Sequence, residues 1–209
     1  MLPENAVNIK IRVKFSKTGS LKFISHLDLN RTMQSAFLRS KLPVWYSEGF
    51  NPHPKLMFAQ PLSLFQESLC EVAEFRFEDE CPTEEETLAR LRAASPEGLT
   101  FVSVKYSETK LPPCKSAYYR LTFETALPVE EFASLFDGEM AVLKKTKTQE
   151  KTLDIAPLIE EKQFEKTENG IRLTCKLPCG NDYLNPSYIE AFLGDRITDM
   201  RVLRTKLIF

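Results

Sequence analysis

The sequence predicts an α+β fold built from two βαββαβ units in tandem, each with an antiparallel sheet. Three observations predict it. Short stretches of alternating apolar and polar residues recur along the 209 residues, the period of a half-buried strand. Helices with recognisable entry signals fall between them. After Leu111-Pro112-Pro113, a linker signal, the same order of elements returns.

The first unit opens with Ile9-Lys10-Ile11-Arg12-Val13-Lys14-Phe15. Ile9, Ile11, Val13 and Phe15 share one face, and Lys10, Arg12 and Lys14 give the strand a basic outer face. Residues 16–20 turn the chain. Ser25 and Asp28 form an S-x-x-D cap, with Ile24 and Leu29 placed as a hydrophobic staple. Leu29, Met33, Ala36 and Phe37 then repeat at helical spacing; Asp28 can pair with Arg31 one turn on, and Pro43 marks the exit. Residues 44–47 read as a short strand, and residues 55–60 as a second extended segment. Residues 69–77 form a strand with Cys70, Val72, Phe75 and Phe77 as apolar candidates and a slip of phase near Ala73. Thr83 and Glu86 open a second helix as a capping box, and residues 99–106 close the unit as a strand.

In the second unit, residues 118–123 predict a strand and 128–136 a short helix. Residues 141–148 and 151–156 are extended. Residues 158–165 are ambiguous between strand and short helix. Residues 170–177 alternate as a strand. Asn185 caps a helix with Pro186 at its first position, Gly194 ends it, and residues 200–208 are the last strand. The expected architecture is therefore two ferredoxin-like domains, 1–110 and 114–209, with two helices on one face of each sheet. A single α+β domain with one continuous sheet is the alternative.

No apolar run approaches the length of a membrane span, and the N-terminus lacks a signal-peptide layout, so a cytoplasmic location is expected. The five cysteines, Cys70, Cys81, Cys114, Cys175 and Cys179, are odd in number and irregularly spaced, which predicts reduced thiols. Cys175 and Cys179 lack the further partners that a zinc or iron–sulfur site needs, so neither a metal nor a cofactor is expected. The formal net charge of −1 hides an asymmetry. Residues 1–60 carry nine Lys/Arg against three Asp/Glu, and residues 61–112 carry five against eleven. A basic patch aimed at a polyanion is one reading; solvated faces on a neutral protein are the other.

The stretch from Leu21 to Pro61 concentrates the chemistry. It holds both histidines, His26 and His53, and the single tryptophan, Trp45. His26 falls at the first helical position, where the helix dipole disfavours its charged form. His53 lies between two prolines. If the two converge they form an acid–base pair for phosphodiester transfer. Trp45, Tyr46, Phe50 and Asn51 are interleaved with Arg31, Arg39, Lys41 and Lys55. That mixture suits single-stranded RNA, aromatics stacking on bases and cations meeting phosphates. A second basic run, Lys144 to Lys151, extends it or forms a solvated hairpin.

The words KFISHLDLNR (22–31), LPVWYSEGFNPHPKLMFAQPL (42–62) and KTLDIAPLI (151–159) resemble a bacterial family of radical SAM-linked, or radical SAM-associated, proteins. That resemblance implies association with a radical SAM protein carrying a cobalamin-binding region; it brings no catalytic residues. A strand, a turn and SHLD opening an Arg-bearing helix is similar, more distantly, to repeat-associated RNA-binding and CRISPR-RNA processing proteins of tandem ferredoxin-like fold. Ser25, His26 and Arg31 match that helix start, but the Gly-rich C-terminal loop of that group is absent.

The expected function is a non-catalytic RNA-binding adaptor for a radical SAM enzyme, in tRNA or rRNA modification. Its alternatives are a metal-independent endoribonuclease using His26 and His53, and a protein-interaction subunit of the radical SAM enzyme that does not touch RNA.

Overall fold

The structure is a computed structural model and describes residues 10–78, 81–145 and 150–209. The described residues form a mixed α/β fold with mostly antiparallel sheet and few helices. The chain divides into two units, Met1–Pro113 and Cys114–Phe209.

In the first unit β1 (Lys10–Lys17) lies between β3 (Gln66–Arg76) and β4 (Leu99–Ser107), antiparallel to both. A two-residue β2 (Met57–Phe58) pairs antiparallel with Ala73 and Glu74 of β3. Helix α1 (His26–Ser40) connects β1 to β2, and α2 (Glu84–Ala94) connects β3 to β4. Ile11, Val13 and Phe15 are fully buried. They form one core with Leu29, Met33 and Phe37 of α1, Leu91 of α2, and Phe75, Phe101 and Val104 of the neighbouring strands. Alternation along β1 therefore sets both faces: the apolar side meets the helices, and Lys10, Arg12 and Lys14 stand on the other.

Three expectations are corrected here. Residues 44–47 make no strand of their own; Val44 and Tyr46 form isolated bridges to Phe77 and Pro54. Strand β3 begins earlier than its alternation suggests, and Cys70 is only half-buried while Ala73 is fully buried. Residues 71–75 are all buried, because β3 is covered on both faces at that point, which hides the period. The Thr83 hydroxyl does accept the Glu86 N–H, but the Glu86 carboxylate bonds Arg90 instead of returning to the cap.

In the second unit β5 (Ser116–Glu124) lies between β9 (Gly170–Pro178) and β10 (Asp199–Ile208), with β8 (Glu160–Thr167) outside β9, all antiparallel. Helix α3 (Val129–Ser134) follows β5, and α4 (Ser187–Leu193) precedes β10. Between α3 and β8 stands a separate antiparallel pair, β6 (Ala141–Lys145) and β7 (Glu150–Asp154); residues 146–149, in the basic run, lie outside the described residues. The ambiguous stretch 158–165 resolves into one 3₁₀ turn, Ala156–Leu158, and then strand. Pro186 takes the cap position of α4, while the Asn185 side chain accepts from the Ser187 N–H at 3.2 Å. Phe123, Phe132, Phe136 and Phe164 form a chain of ring contacts between sheet and α3.

Candidate functional site

The SHLD segment folds as its residues dictate. The Ser25 hydroxyl accepts the Asp28 N–H at 3.1 Å and donates to the Asp28 carboxylate at 2.7 Å. That carboxylate also accepts from Arg31 at 3.1 Å. These bonds hold the Asp28 carboxyl below the usual carboxylate range, the Ser25 hydroxyl contributing most. His26 is the first residue of the helix. Its ring meets Phe58 edge-to-face at 4.7 Å, and its Nδ1 is buried with no hydrogen-bond partner among the described residues. Burial lowers the His26 pKa; the Glu71 carboxylate opposes that shift and the Lys17 ammonium adds to it. Glu71 and Lys17 are themselves buried, and Lys17 donates to the Ile24 carbonyl at 3.3 Å.

His53 sits in different surroundings. The Ser47 N–H donates to the His53 carbonyl at 2.9 Å, and the His53 N–H donates to the Ser47 hydroxyl at 3.2 Å. The His53 Nδ1 lies 3.0 Å from the Asn51 carbonyl. A carbonyl can only accept, so in this bond Nδ1 is the donor. These bonds close residues 47–53 into a loop with Phe50, fully exposed, near its tip. His26 contacts Phe58 and feels the charges of Glu71 and Lys17, whereas His53 bonds Ser47 and Asn51. The two share no partner among the described residues.

The other candidates separate by what they touch. Arg31 is exposed and paired with Asp28. Arg39 donates from Nε and Nη2 to the Ala94 carbonyl, at 3.1 and 2.7 Å, and so ties α1 to the end of α2. Lys41 ends α1 in the left-handed conformation, with φ 54°. Tyr46 packs on the core. Phe50, Asn51 and Lys55 are exposed. The Trp45 backbone N–H donates to the Arg76 carbonyl at 2.9 Å. With Lys55, Met57, Glu74, Phe75 and Arg76 it lines a notch of about 120 Å³.

Two residues lining that notch, Glu74 and Arg76, stand on the sheet face opposite the helices. Strand register puts Lys10 directly across from Arg76, Arg12 between Glu74 and Lys105, and Lys14 between Val72 and Ser103. Residues opposite one another point to the same side. One face of the first unit thus gathers Lys10, Arg12, Lys14, Arg76 and Lys105. Glu74 faces them and is bonded by Arg12 at 2.9 Å. Lys105 reaches away to Glu84 at 2.6 Å, while Lys14 and Arg76 have no ion-pair partner among the described residues. Sequence reasoning recognised the basic face of β1 but missed Glu74 and Arg76. Their signal was their alternation with Phe75 and Phe77, masked where β3 is buried on both sides. It also missed Lys17 and Glu71, which local pattern presents as ordinary strand residues.

Among the described residues, no group of three His, Cys, Asp or Glu is arranged to hold a metal ion, and none of the five cysteines forms a disulfide. No described helix is long and apolar enough to cross a membrane. No curated protein matches the chain. Residues 10–185 match the model of a family described as "Uncharacterized protein conserved in bacteria (DUF2344)", and the chain belongs to that family.

Proposed function

We propose that the protein is a non-catalytic RNA-binding adaptor whose contact surface is the helix-free face of the first sheet. One observation carries this reading: Lys10, Arg12, Lys14 and Arg76 stand on a single face beside Trp45 and Lys55. Directly opposed like charges such as Lys10 and Arg76 cost stability in a sheet. A polyanion threaded along the face relieves that repulsion, and an aromatic at its edge offers a stacking platform. The strand orders β4-β1-β3-β2 and β10-β5-β9-β8 support reading both units as ferredoxin-like repeats.

The radical SAM enzyme is proposed as the partner on the sequence resemblance of 22–62 and 151–159, with tRNA or rRNA modification as the setting. The test is titration of a labelled oligoribonucleotide at low and moderate salt. Binding is expected to weaken steeply with salt, and Lys14→Glu and Arg76→Glu are each expected to weaken it at least tenfold. Absence of binding at low salt, or unchanged binding by both variants, overturns the reading. Co-purification from native lysate, with RNA and proteins identified, tests the partner.

A second reading, a protein-interaction subunit, is favoured by the contacting pair Phe23 and Phe65, whose rings meet at 6.2 Å while both remain exposed. It predicts a stable protein complex free of RNA. The endoribonuclease reading needs His26 and His53 to act on one phosphodiester. It predicts EDTA-resistant cleavage lost in His26→Ala and in His53→Ala.

A further inference from the structure

The notch beside Trp45 brings three chemistries together. Its lining includes an aromatic residue, Trp45, two cationic residues, Lys55 and Arg76, and a carboxylate residue, Glu74. The Glu74 side chain is only 6% exposed. A buried carboxylate is costly unless its lone pairs are used. The Arg12 Nε holds Oε2 at 2.9 Å, and a carboxylate has about four lone-pair sites in all. The group therefore remains able to accept from an N–H donor brought into the notch.

The size of the notch narrows what that donor belongs to. At about 120 Å³ it falls well below the several hundred Å³ of a pocket that encloses a whole ligand. It admits one flat group, with anything attached left outside on the basic face. A flat group stacked on an indole, presenting N–H donors inward and joined to a phosphate outside, is an unstacked nucleobase.

We propose that the notch holds one nucleobase stacked on Trp45 and that Glu74 selects a base with amino or imino donors on its pairing edge, guanine foremost. Guanine offers N1–H and the N2 amino group side by side, the pairing edge best matched to a carboxylate. Uracil presents one N–H flanked by two carbonyl oxygens, which a carboxylate repels. Phosphates on either side of the base then lie within the set of Arg76, Lys55 and Lys10. This inference rests on the RNA-binding reading and adds sequence preference to it.

Trp45 is the only tryptophan, so its fluorescence reports occupancy of the notch directly. The experiment titrates the protein with oligouridine, with the same oligomer carrying one guanosine, and with one carrying inosine, which keeps N1–H but lacks the N2 amino group. The expected result is quenching of Trp45 fluorescence and roughly tenfold tighter binding for the guanosine oligomer over oligouridine, with inosine between. Glu74→Gln is expected to erase that order, so that the three oligomers bind alike. The base comparison in the unmodified protein stands by itself if Glu74→Gln fails to fold. Equal affinity for all three oligomers overturns base selection and leaves RNA binding intact. Binding without any change in Trp45 fluorescence overturns the notch as the seat of the base. No binding to any oligomer at low salt overturns the RNA reading, and the inference with it.

Discussion

Arg39 donates twice to the Ala94 carbonyl, at the last residue of α2, where a helix leaves its carbonyls without internal partners. This guanidinium joins two helices. Arg39→Ala is expected to lower stability by about 1–2 kcal/mol, read as a lower urea midpoint at unchanged slope, while oligonucleotide affinity stays close to that of the unmodified protein. His26 gives a second expectation, in pH. Burial holds its folded pKa below the ordinary 6.5, so between those two values the unfolded chain binds a proton that the folded chain does not. Stability is then fully present above about pH 6.5 and is lost as pH falls through the lowered folded value. Urea midpoints measured from pH 5 to 8 are expected to rise with pH, and His26→Gln to flatten that rise. An unchanged profile in the variant would remove His26 as the cause.

At the scale of elements, the β8–β9 hairpin depends on one close approach. Gly170 has φ +153°, and a Cβ built there would meet the Phe123 carbonyl oxygen at 2.0 Å. Backbone on backbone cannot yield as a side-chain tip does. Gly170→Ala is therefore expected to cost about 2–3 kcal/mol, with the β5–β9 pairing Glu124↔Gly170 loosened first; hydrogen exchange of the neighbouring amides would show it. In β1 the register against β3 shifts between Phe15 and Lys17. The alternation nevertheless runs on, and Lys17 follows Ile11, Val13 and Phe15 onto the buried face.

For the whole molecule, a formal net charge of −1 and a sequence pI near 6.2 leave no bulk attraction for a polyanion. Charges farther away than about 10 Å are screened at ordinary ionic strength. Any affinity for RNA must come from the local set on the first sheet. The expected signature is a log–log salt slope of several units for the native protein, reduced by about one unit each in Lys14→Gln and Arg76→Gln. Equal slopes in all three proteins would place the contact elsewhere.

The sequence by itself determined those elements whose cause is local. The cap at Ser25, the Asp28–Arg31 pair, the cap at Thr83 and the alternation of β1 are interactions between residues a few positions apart, which local chemistry dictates. It also located the basic face of β1 and the stretch carrying Trp45. Only the tertiary structure decided which strands lie side by side, and pairing across tens of residues has no local signal. That pairing sets Arg76 across from Lys10 and Glu74 across from Arg12. It brings Glu74 to Trp45 in one notch, ties Arg39 to α2, and gives His26 and His53 separate partners. A cation's role depends on what the fold brings within about 3 Å of it, and that distance is decided by long-range packing.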